Sequence, residues 1–274
     1  MLTSQSIPHL ELAEDGFFRL LVDEHWAATA AEELRRYEEE NRGFLPPRRL
    51  PAAAPFARAG TALIGLVLVL VFLAQQGSAL GRDWTSAGDA RASAIRAGEL
   101  WRAATALTLH TDVPHLLSNL VFGALFGYLV LHALGGGIGA LALLAAGALG
   151  NVINSWVHAG EHLSVGASTA VFGAVGLLAG SEARVRHLLR EARARRFAPL
   201  FAAFVLLLYL GVGEARSAHE VDVLAHCFGL LAGLGLGALL ASLPRAAIEH
   251  RGVQLACGAA AAGLLALAWT AALS

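Results

Sequence analysis

The chain has 274 residues, of which 56% are apolar and 15% charged, whereas soluble domains average about 45–50% and 25%. Residues 103–181 contain only two acidic or basic side chains, Asp112 and Glu161, and residues 252–274 contain none. A soluble fold cannot cover its surface with so few charges, so the composition predicts an all-α, polytopic membrane helix bundle. The net charge of −1 gives no basic field that would indicate a nucleic acid partner.

The residue types present limit the chemistry further. All 20 cationic side chains are Arg, so the chain has no Lys for a Schiff base or a phosphate-binding loop. Both cysteines, Cys227 and Cys257, lie in apolar runs, which does not indicate a disulfide framework. We therefore expect no cofactor.

Residues 1–56 differ in composition from the rest of the chain. They contain clusters of Glu and Arg, and they carry apolar residues at helical spacing from Phe17 to Trp26. We expect a short, partly helical cytosolic extension here. It is followed by a six-helix core over residues 57–241 and an additional helix within residues 242–274.

Seven stretches approach the roughly 20 apolar residues that a spanning helix needs. They are residues 58–76, 107–133, 135–157, 167–181, 199–213, 221–241 and 252–273. Gly135-Gly136-Gly137 separates the second stretch from the third, and Pro199 is expected to open the fifth. The fourth and fifth are short and fit only as helices surrounded by other helices or extended beyond these limits.

The distribution of Arg predicts the orientation, since cytoplasmic loops carry an excess of positive charge. Residues 182–198 carry six Arg and residues 1–58 carry seven, and with seven spans both regions fall on one side. We expect an integral, multi-pass protein of a bacterial inner membrane, with the amino terminus in the cytoplasm and the carboxy terminus on the outer side.

Polar side chains in the charge-poor region are candidates for function, because ionisable groups are costly at membrane depth. They are His110, His115, Asn119, Ser168, Thr169 and His226. The predicted topology places His115, Asn119, Ser168 and His226 at similar depth in the outer half of the bilayer. A serine hydroxyl needs a neighbouring base to become a good nucleophile, and His226 is the candidate base on a different helix.

Glycines predict that the fourth and sixth helices pack closely. Gly229, Gly233 and Gly237 recur every four residues after His226, and Gly173, Gly176 and Gly180 follow Ser168. Such rows of small residues let helix backbones approach each other in lipid. The same packing face would therefore bring His226 toward Ser168.

The chain contains the motifs Trp101-Arg102, His110-x4-His115-x3-Asn119, Gly166-x-Ser168 and Ala225-His226-x2-Gly229-x3-Gly233. Taken together, they resemble the rhomboid family of intramembrane serine proteases. The resemblance covers about residues 58–241 and is closest to variants with one helix added after the six-helix core. It implies Ser168 as nucleophile, His226 as base, and an oxyanion hole formed by His115, Asn119 and the Ser168 backbone N–H.

The resemblance also assigns supporting roles and shows one departure. His110, Trp101, Arg102 and the loop over residues 77–106 would be structural, and Phe172 stands where the family often has an aromatic ring against the base. Thr169 follows Ser168 where the family usually has Gly. A β-branched residue there crowds the start of the helix.

Two other interpretations of these polar residues remain. A zinc site at His110 and His115 is not favoured, because the H-E-x-x-H spacing is absent and no Cys or acidic residue falls at ligand spacing from either histidine, so we expect no metal. Glu161, Glu220 and Asp222 are expected to be solvated at loop edges, although Asp222 lies one turn before His226 and would be able to contact it.

We therefore expect a serine endopeptidase that cleaves membrane-protein substrates within or near their transmembrane segments, in contact with the lipid bilayer. The alternative is a catalytically inactive rhomboid-like protein that binds membrane clients. A small transporter or proton channel using the intramembrane histidines is a third class. It is disfavoured because no inverted repeat is evident and the polar residues converge on one serine.

Overall fold

The structure is a computed structural model that describes residues 2–14, 17–40, 54–158, 162–211 and 222–274. It divides the chain into two compact units, Met1–Leu50 and Pro51–Ser274. The first unit contains strands β1 (His9–Glu14) and β2 (Phe17–Val22) and helix α1 (Ala27–Glu40). Short 3₁₀ helices cover Leu2–Gln5 and Glu24–Trp26.

The prediction of a helix from the apolar spacing that begins at Phe17 was wrong. These residues form β2, which pairs antiparallel with β1 and places Glu14 opposite Phe17. Only Asp15 and Gly16 separate the two strands, and Asp-Gly is a sequence typical of two-residue hairpin turns. A short apolar run beside such a sequence favours a hairpin over a helix, because each strand finds its partner within the next few residues.

The second unit is helical. Its helices are α2 (Ala57–Gln76), α3 (Trp84–Gly88), α4 (Ala92–Arg96), α5 (Arg102–Thr105), α6 (Val113–Phe122), α7 (Tyr128–Leu134), α8 (Gly136–Val157), α9 (Ser168–Leu188), α10 (Arg193–Gly211), α11 (Val223–Leu240), α12 (Arg245–Glu249) and α13 (Arg251–Leu273). A π-helical turn, Gly123–Gly127, joins α6 to α7, and 3₁₀ turns cover Ala79–Gly81 and Ala106–Thr108.

The prediction of an all-α, polytopic membrane bundle is confirmed. Among the described residues, five helices are long and apolar enough to cross a membrane: Ala57–Gln76, Val113–Leu134, Gly136–Val157, Val223–Leu240 and Arg251–Leu273. The fourth and fifth predicted stretches correspond to α9 and α10. Helix α9 continues past the predicted limit to Leu188, and its middle is buried among neighbouring helices.

Two predicted boundaries were wrong for identifiable reasons. The second stretch begins at Val113 rather than at residue 107, because the Asp112 carboxylate accepts the His115 backbone N–H and caps the helix there. Helix α10 begins at Arg193, so Pro199 lies inside it. Proline has no N–H for the carbonyl four residues earlier, and here that carbonyl, on Arg195, accepts a hydrogen bond from Arg186 Nη1 at 3.1 Å instead.

Gly135 forms the tight connection between the second and third predicted stretches, as expected. Its φ of 85° lies in the region that favours glycine, and α8 begins at the next residue. The turn also forms the docking site for α13. A Cβ on Gly137 would overlap the backbone of Gln254, so the two segments touch through their main chains.

Polar and aromatic contacts attach α13 to the core at two levels. The Gln254 side chain is 1% exposed. Its Oε1 accepts the N–H groups of Gly137 and Ile138 at 2.8 and 3.1 Å, and its Nε2 donates to the carbonyls of Leu134 and Ile248. Further along α13, Trp269 Nε1 donates to Thr108 Oγ1 at 3.1 Å. The helix is therefore an integrated part of the bundle.

We predict that Gln254→Leu destabilises the protein strongly, because four backbone groups at the α7–α8 turn and α12 lose their partner. An unsatisfied buried polar group costs about 1–3 kcal/mol, so the melting temperature in detergent should fall by several degrees. Thr270→Val is the matched control, because the Thr270 hydroxyl bonds only the Ala266 carbonyl of its own helix. Equal melting temperatures for the two variants would contradict this role of Gln254.

Candidate active site

Helices α9 and α11 lie so close that their backbones touch. A Cβ on Gly229 would overlap the carbonyl oxygen of Thr169, and a Cβ on Gly233 would overlap that of Gly173. The contact advances along both helices in the same direction, so they are parallel and begin on the same side of the bundle. This arrangement fixes the relative position of the first turns of the two helices.

Those first turns bring Ser168 and His226 together. Ser168 is the first residue of α9, and its Oγ lies 2.9 Å from Nε2 of His226, which is in the first turns of α11. The Phe172 ring packs against the imidazole with centroids 4.7 Å apart and planes tilted by 30°. His226 is buried and Ser168 is partly exposed. The contact has the distance and the atoms that proton transfer from a serine to a histidine requires.

Thr169, the residue that departs from the family pattern, is buried between three helices. A Cβ placed on Gly150 of α8 would lie 2.8 Å from Thr169 Cγ2, and a Cβ placed on Gly229 of α11 would lie 3.0 Å from it. The two glycines thus provide the room that the threonine methyl occupies. The crowding expected from a β-branched residue is accommodated by its neighbours.

Gly166 opens a space beside the serine that is bounded by His115. Its φ is 128°, in the region that favours glycine, and a Cβ on it would meet His115 Nε2 at 2.7 Å and Ser168 Oγ at 3.7 Å. The backbone N–H of Thr111 points at His115 Nδ1, 3.5 Å away, and Thr111 Oγ1 lies 3.1 Å from it. Because a backbone N–H can only donate, Nδ1 accepts, and a neutral ring carries its proton on Nε2, facing this space.

Asn119 lies one turn after His115 on α6 and is buried. Its Nδ2 donates to the His115 carbonyl at 2.9 Å. An amide nitrogen has two N–H groups, so the hydrogen bond within the helix orients the side chain and uses one of them. The side chains of His115 and Asn119 share one helix face, as their spacing predicted.

His110 is fully buried, and its ring meets the edge of the His115 ring at a centroid distance of 5.1 Å. Burial, together with the neighbouring His115, lowers the pKa of His110 to about 4, so the ring is uncharged at neutral pH. Gln75 binds both backbone groups of the residue: its Nε2 donates to the His110 carbonyl and its Oε1 accepts the His110 N–H. These contacts support the structural role expected for His110.

Trp101 and Arg102 lie in the segment between α2 and α6. Arg102 Nη1 donates to Asp89 Oδ1 at 2.8 Å and to the carbonyls of Ser86 and Asp89, while its Nε donates to Glu99. Burial raises the pKa of Asp89 despite the opposing effects of Arg91 and Arg102. One guanidinium thus joins α3, the start of α5 and the residues between them, which supports a structural role here too.

Sequence reasoning missed a second polar cluster near the start of α11. The expectation that Asp222 is solvated was wrong: its Oδ2 accepts from Asn154 Nδ2 at 2.7 Å and lies 2.6 Å from His162 Nε2, while Oδ1 accepts the Ala225 N–H and caps α11. Burial alone would raise the pKa of Asp222, but these hydrogen bonds hold it below its ordinary value. The His158-x3-His162 spacing was the available signal; Glu161 and Glu220 lie outside the described residues.

Comparisons with known proteins point to one family. Residues 97–243 match the family model described as "Rhomboid domain". The chain is 28% identical over 143 residues to Rhomboid-like protease 2 of Toxoplasma gondii, covering 52% of this chain and 48% of that protein. It is 32% identical over 150 residues to Rhomboid-like protease 3 of the same organism, with 54% and 55% covered.

A bacterial relative covers more of this chain. Rhomboid protease GluP of Bacillus subtilis is 28% identical over 185 residues, which is 67% of this chain and 34% of that protein. The chain spans about half the length of the Toxoplasma relatives it matches.

We predict that Gly233→Ala destabilises the bundle, because its methyl group must push α11 away from the backbone of α9. Overpacking of this kind costs about 1–3 kcal/mol, which should lower the melting temperature by several degrees. Gly235→Ala is the matched control two residues away, since a Cβ there meets nothing within 4 Å. If both substitutions had the same small effect, the backbone contact would not determine the position of α11.

Proposed function

Because the chain belongs to the rhomboid family, we propose that it is an intramembrane serine endopeptidase that cleaves membrane proteins within or near their transmembrane segments. The observation that carries the proposal is the 2.9 Å contact between Ser168 Oγ and His226 Nε2, formed by two helices whose backbones touch. The three relatives described above are named as rhomboid or rhomboid-like proteases, which supports the same activity.

In the proposed reaction Ser168 Oγ attacks the carbonyl carbon of the scissile peptide bond while His226 Nε2 accepts the hydroxyl proton. His226 then gives this proton to the leaving nitrogen as the C–N bond breaks. A water molecule hydrolyses the resulting acyl ester, with His226 acting again as base and then as acid. The Phe172 ring, packed against the imidazole, keeps Nε2 directed at the serine during these steps.

Three donors stabilise the negative charge of the tetrahedral intermediate in this proposal. They are His115 Nε2–H, the second amide N–H of Asn119, and the backbone N–H of Ser168. Ser168 begins α9, where backbone N–H groups have no acceptor within the helix and the helix dipole favours negative charge. The space left by Gly166, next to both His115 Nε2 and Ser168 Oγ, is where the substrate carbonyl would lie.

The chain is an integral, multi-pass membrane protein, and we propose that its amino terminus is cytoplasmic and its carboxy terminus lies outside. Helices α9 and α11 both begin at the Ser168–His226 pair, so their carboxyl ends share the opposite face. That face carries Arg184 and Arg186 at the end of α9 and Arg245 after α11, as expected for a cytoplasmic surface. Residues 1–56 would then form a cytosolic extension, residues 57–241 the protease core, and residues 242–274 the added transmembrane segment.

A fluorophosphonate probe tests whether Ser168 is an activated nucleophile. We expect the probe to label the native protein, and Ser168→Ala to abolish both labelling and cleavage of a model transmembrane substrate. His226→Ala should remove both as completely, and the double variant should be scarcely worse than either single one, because the two residues act as a unit.

Ser118→Ala is the matched control for this experiment, since the Ser118 hydroxyl donates only to the His115 carbonyl of its own helix. The expected pattern is labelling of the native protein and of the control, and no labelling of the Ser168→Ala and His226→Ala variants. An unlabelled native protein that still folds and binds membrane proteins would favour the inactive, client-binding alternative. Solute flux without proteolysis would favour a transporter.

The oxyanion assignment is tested separately from the dyad. Asn119→Ala and His115→Ala should each lower turnover by about 10²-fold with little change in substrate affinity, because one of several preorganised donors is lost. Steady-state kinetics on the same substrate measure both quantities, again with Ser118→Ala as the control. Unchanged turnover in either variant would show that its side chain is not a donor.

A further inference from the structure

A second cluster of titratable side chains lies beside the start of α11, outside the proposed catalytic dyad. It consists of His158 at the end of α8, His162 in the following segment, and Asp222, the residue that caps α11. The ligand atoms of these three side chains all lie within 4.8 Å of one another. We propose that His158, His162 and Asp222 bind a divalent transition-metal cation of the Zn²⁺ class.

The donor set suits such an ion. Two imidazole nitrogens and one carboxylate oxygen are ordinary ligands of Zn²⁺, and three protein ligands leave a fourth position for water or another oxygen. His162 Nε2 lies 2.6 Å from Asp222 Oδ2, and His158 Nε2 lies 3.9 Å from Asp222 Oδ1. Ligands at about 2.0–2.1 Å from a tetrahedral ion are roughly 3.3 Å apart, so each of these distances needs to change by less than about 1 Å.

Two unused polar atoms point to a missing partner at this place. Within the described residues, His158 Nε2 and Asn154 Oδ1 are buried and have no hydrogen-bond partner. Asn154 contacts Asp222 through its other side-chain atom, Nδ2, and His158 Nε2 itself lies 3.9 Å from Asp222 Oδ1. A cation would satisfy the imidazole lone pair directly, and the Asn154 oxygen or a water would provide the fourth ligand.

The histidine rings and the carboxylate are already oriented by their surroundings. The His158 and His162 rings stack at a centroid distance of 3.7 Å with planes 5° apart, so each ring holds the other in place, and a tilt out of this parallel stack would direct both Nε2 atoms at one ion. Asp222 is held by hydrogen bonds from Asn154 and from the Ala225 N–H. Such outer contacts are what orient metal ligands in proteins.

Titration with Co²⁺ tests the proposal, because tetrahedral nitrogen and oxygen coordination gives Co²⁺ a visible absorption that Zn²⁺ removes on displacement. The full-length protein is purified in detergent with an affinity tag that contains no histidine, and is freed of metal with a chelator. We expect one Co²⁺ per chain, displaced by one Zn²⁺. The same titration on Ser168→Ala should give the same result, so it does not depend on catalysis.

Variants locate the ion. His158→Gln, His162→Gln and Asp222→Asn should each weaken binding at least about tenfold, and Asn keeps the capping function of Asp222 because both residues cap helices well. His187→Gln, at the end of α9, should bind as the native protein does. Absence of saturable Co²⁺ or Zn²⁺ binding by the native protein would overturn the proposal. So would unchanged binding by the His158→Gln/His162→Gln double variant.

Discussion

The arrangement of the polar residues depends on the distance between α9 and α11. Their backbones approach each other through Gly229 and Gly233, where any side chain would overlap the carbonyl oxygens of Thr169 and Gly173. A hydrogen bond between two side chains tolerates errors of only a few tenths of an ångström. Flexible side chains between the helices would leave their separation free to vary, whereas backbone contact leaves little freedom. The Ser168–His226 distance is therefore set by main-chain packing along the helices.

Interior polar groups show a second regularity, which follows from the absence of water in a hydrocarbon core. Asn151 Nδ2 donates to the Ala103 carbonyl, Thr105 Oγ1 to the Gly88 carbonyl, and Gln75 makes two hydrogen bonds with the backbone of His110. Each of these side chains completes the hydrogen bonding of a backbone segment that is not part of a long helix. The irregular chain between α2 and α6 is thus stabilised by Gln75 and Asn151 from the surrounding helices and by Thr105 from within the segment itself.

Several features of the fold and the candidate site were predictable from the sequence because they depend on local pattern. Apolar length and the Gly135 turn identified the spanning helices, and the glycine rows with the four-residue spacing of His115 and Asn119 indicated shared faces. The start of α6 and the path through Pro199 were missed, since each depends on one tertiary or capping hydrogen bond that hydropathy does not contain. The Asp222 cluster was missed because no row of small residues links Asp222 to His158 and His162, whereas the glycine rows link Ser168 to His226.

Gln254 has a consequence for how α13 finds its position. An apolar helix in lipid can rotate and slide against its neighbours with little change in energy, because lipid tails are as apolar as leucine. A buried amide with four backbone partners can be satisfied at only one depth and one rotation. Single buried polar residues specify alignment in coiled coils in the same way. Gln254, together with the hydrogen bond from Trp269 to Thr108, therefore selects one docked arrangement of α13 among many of similar apolar contact.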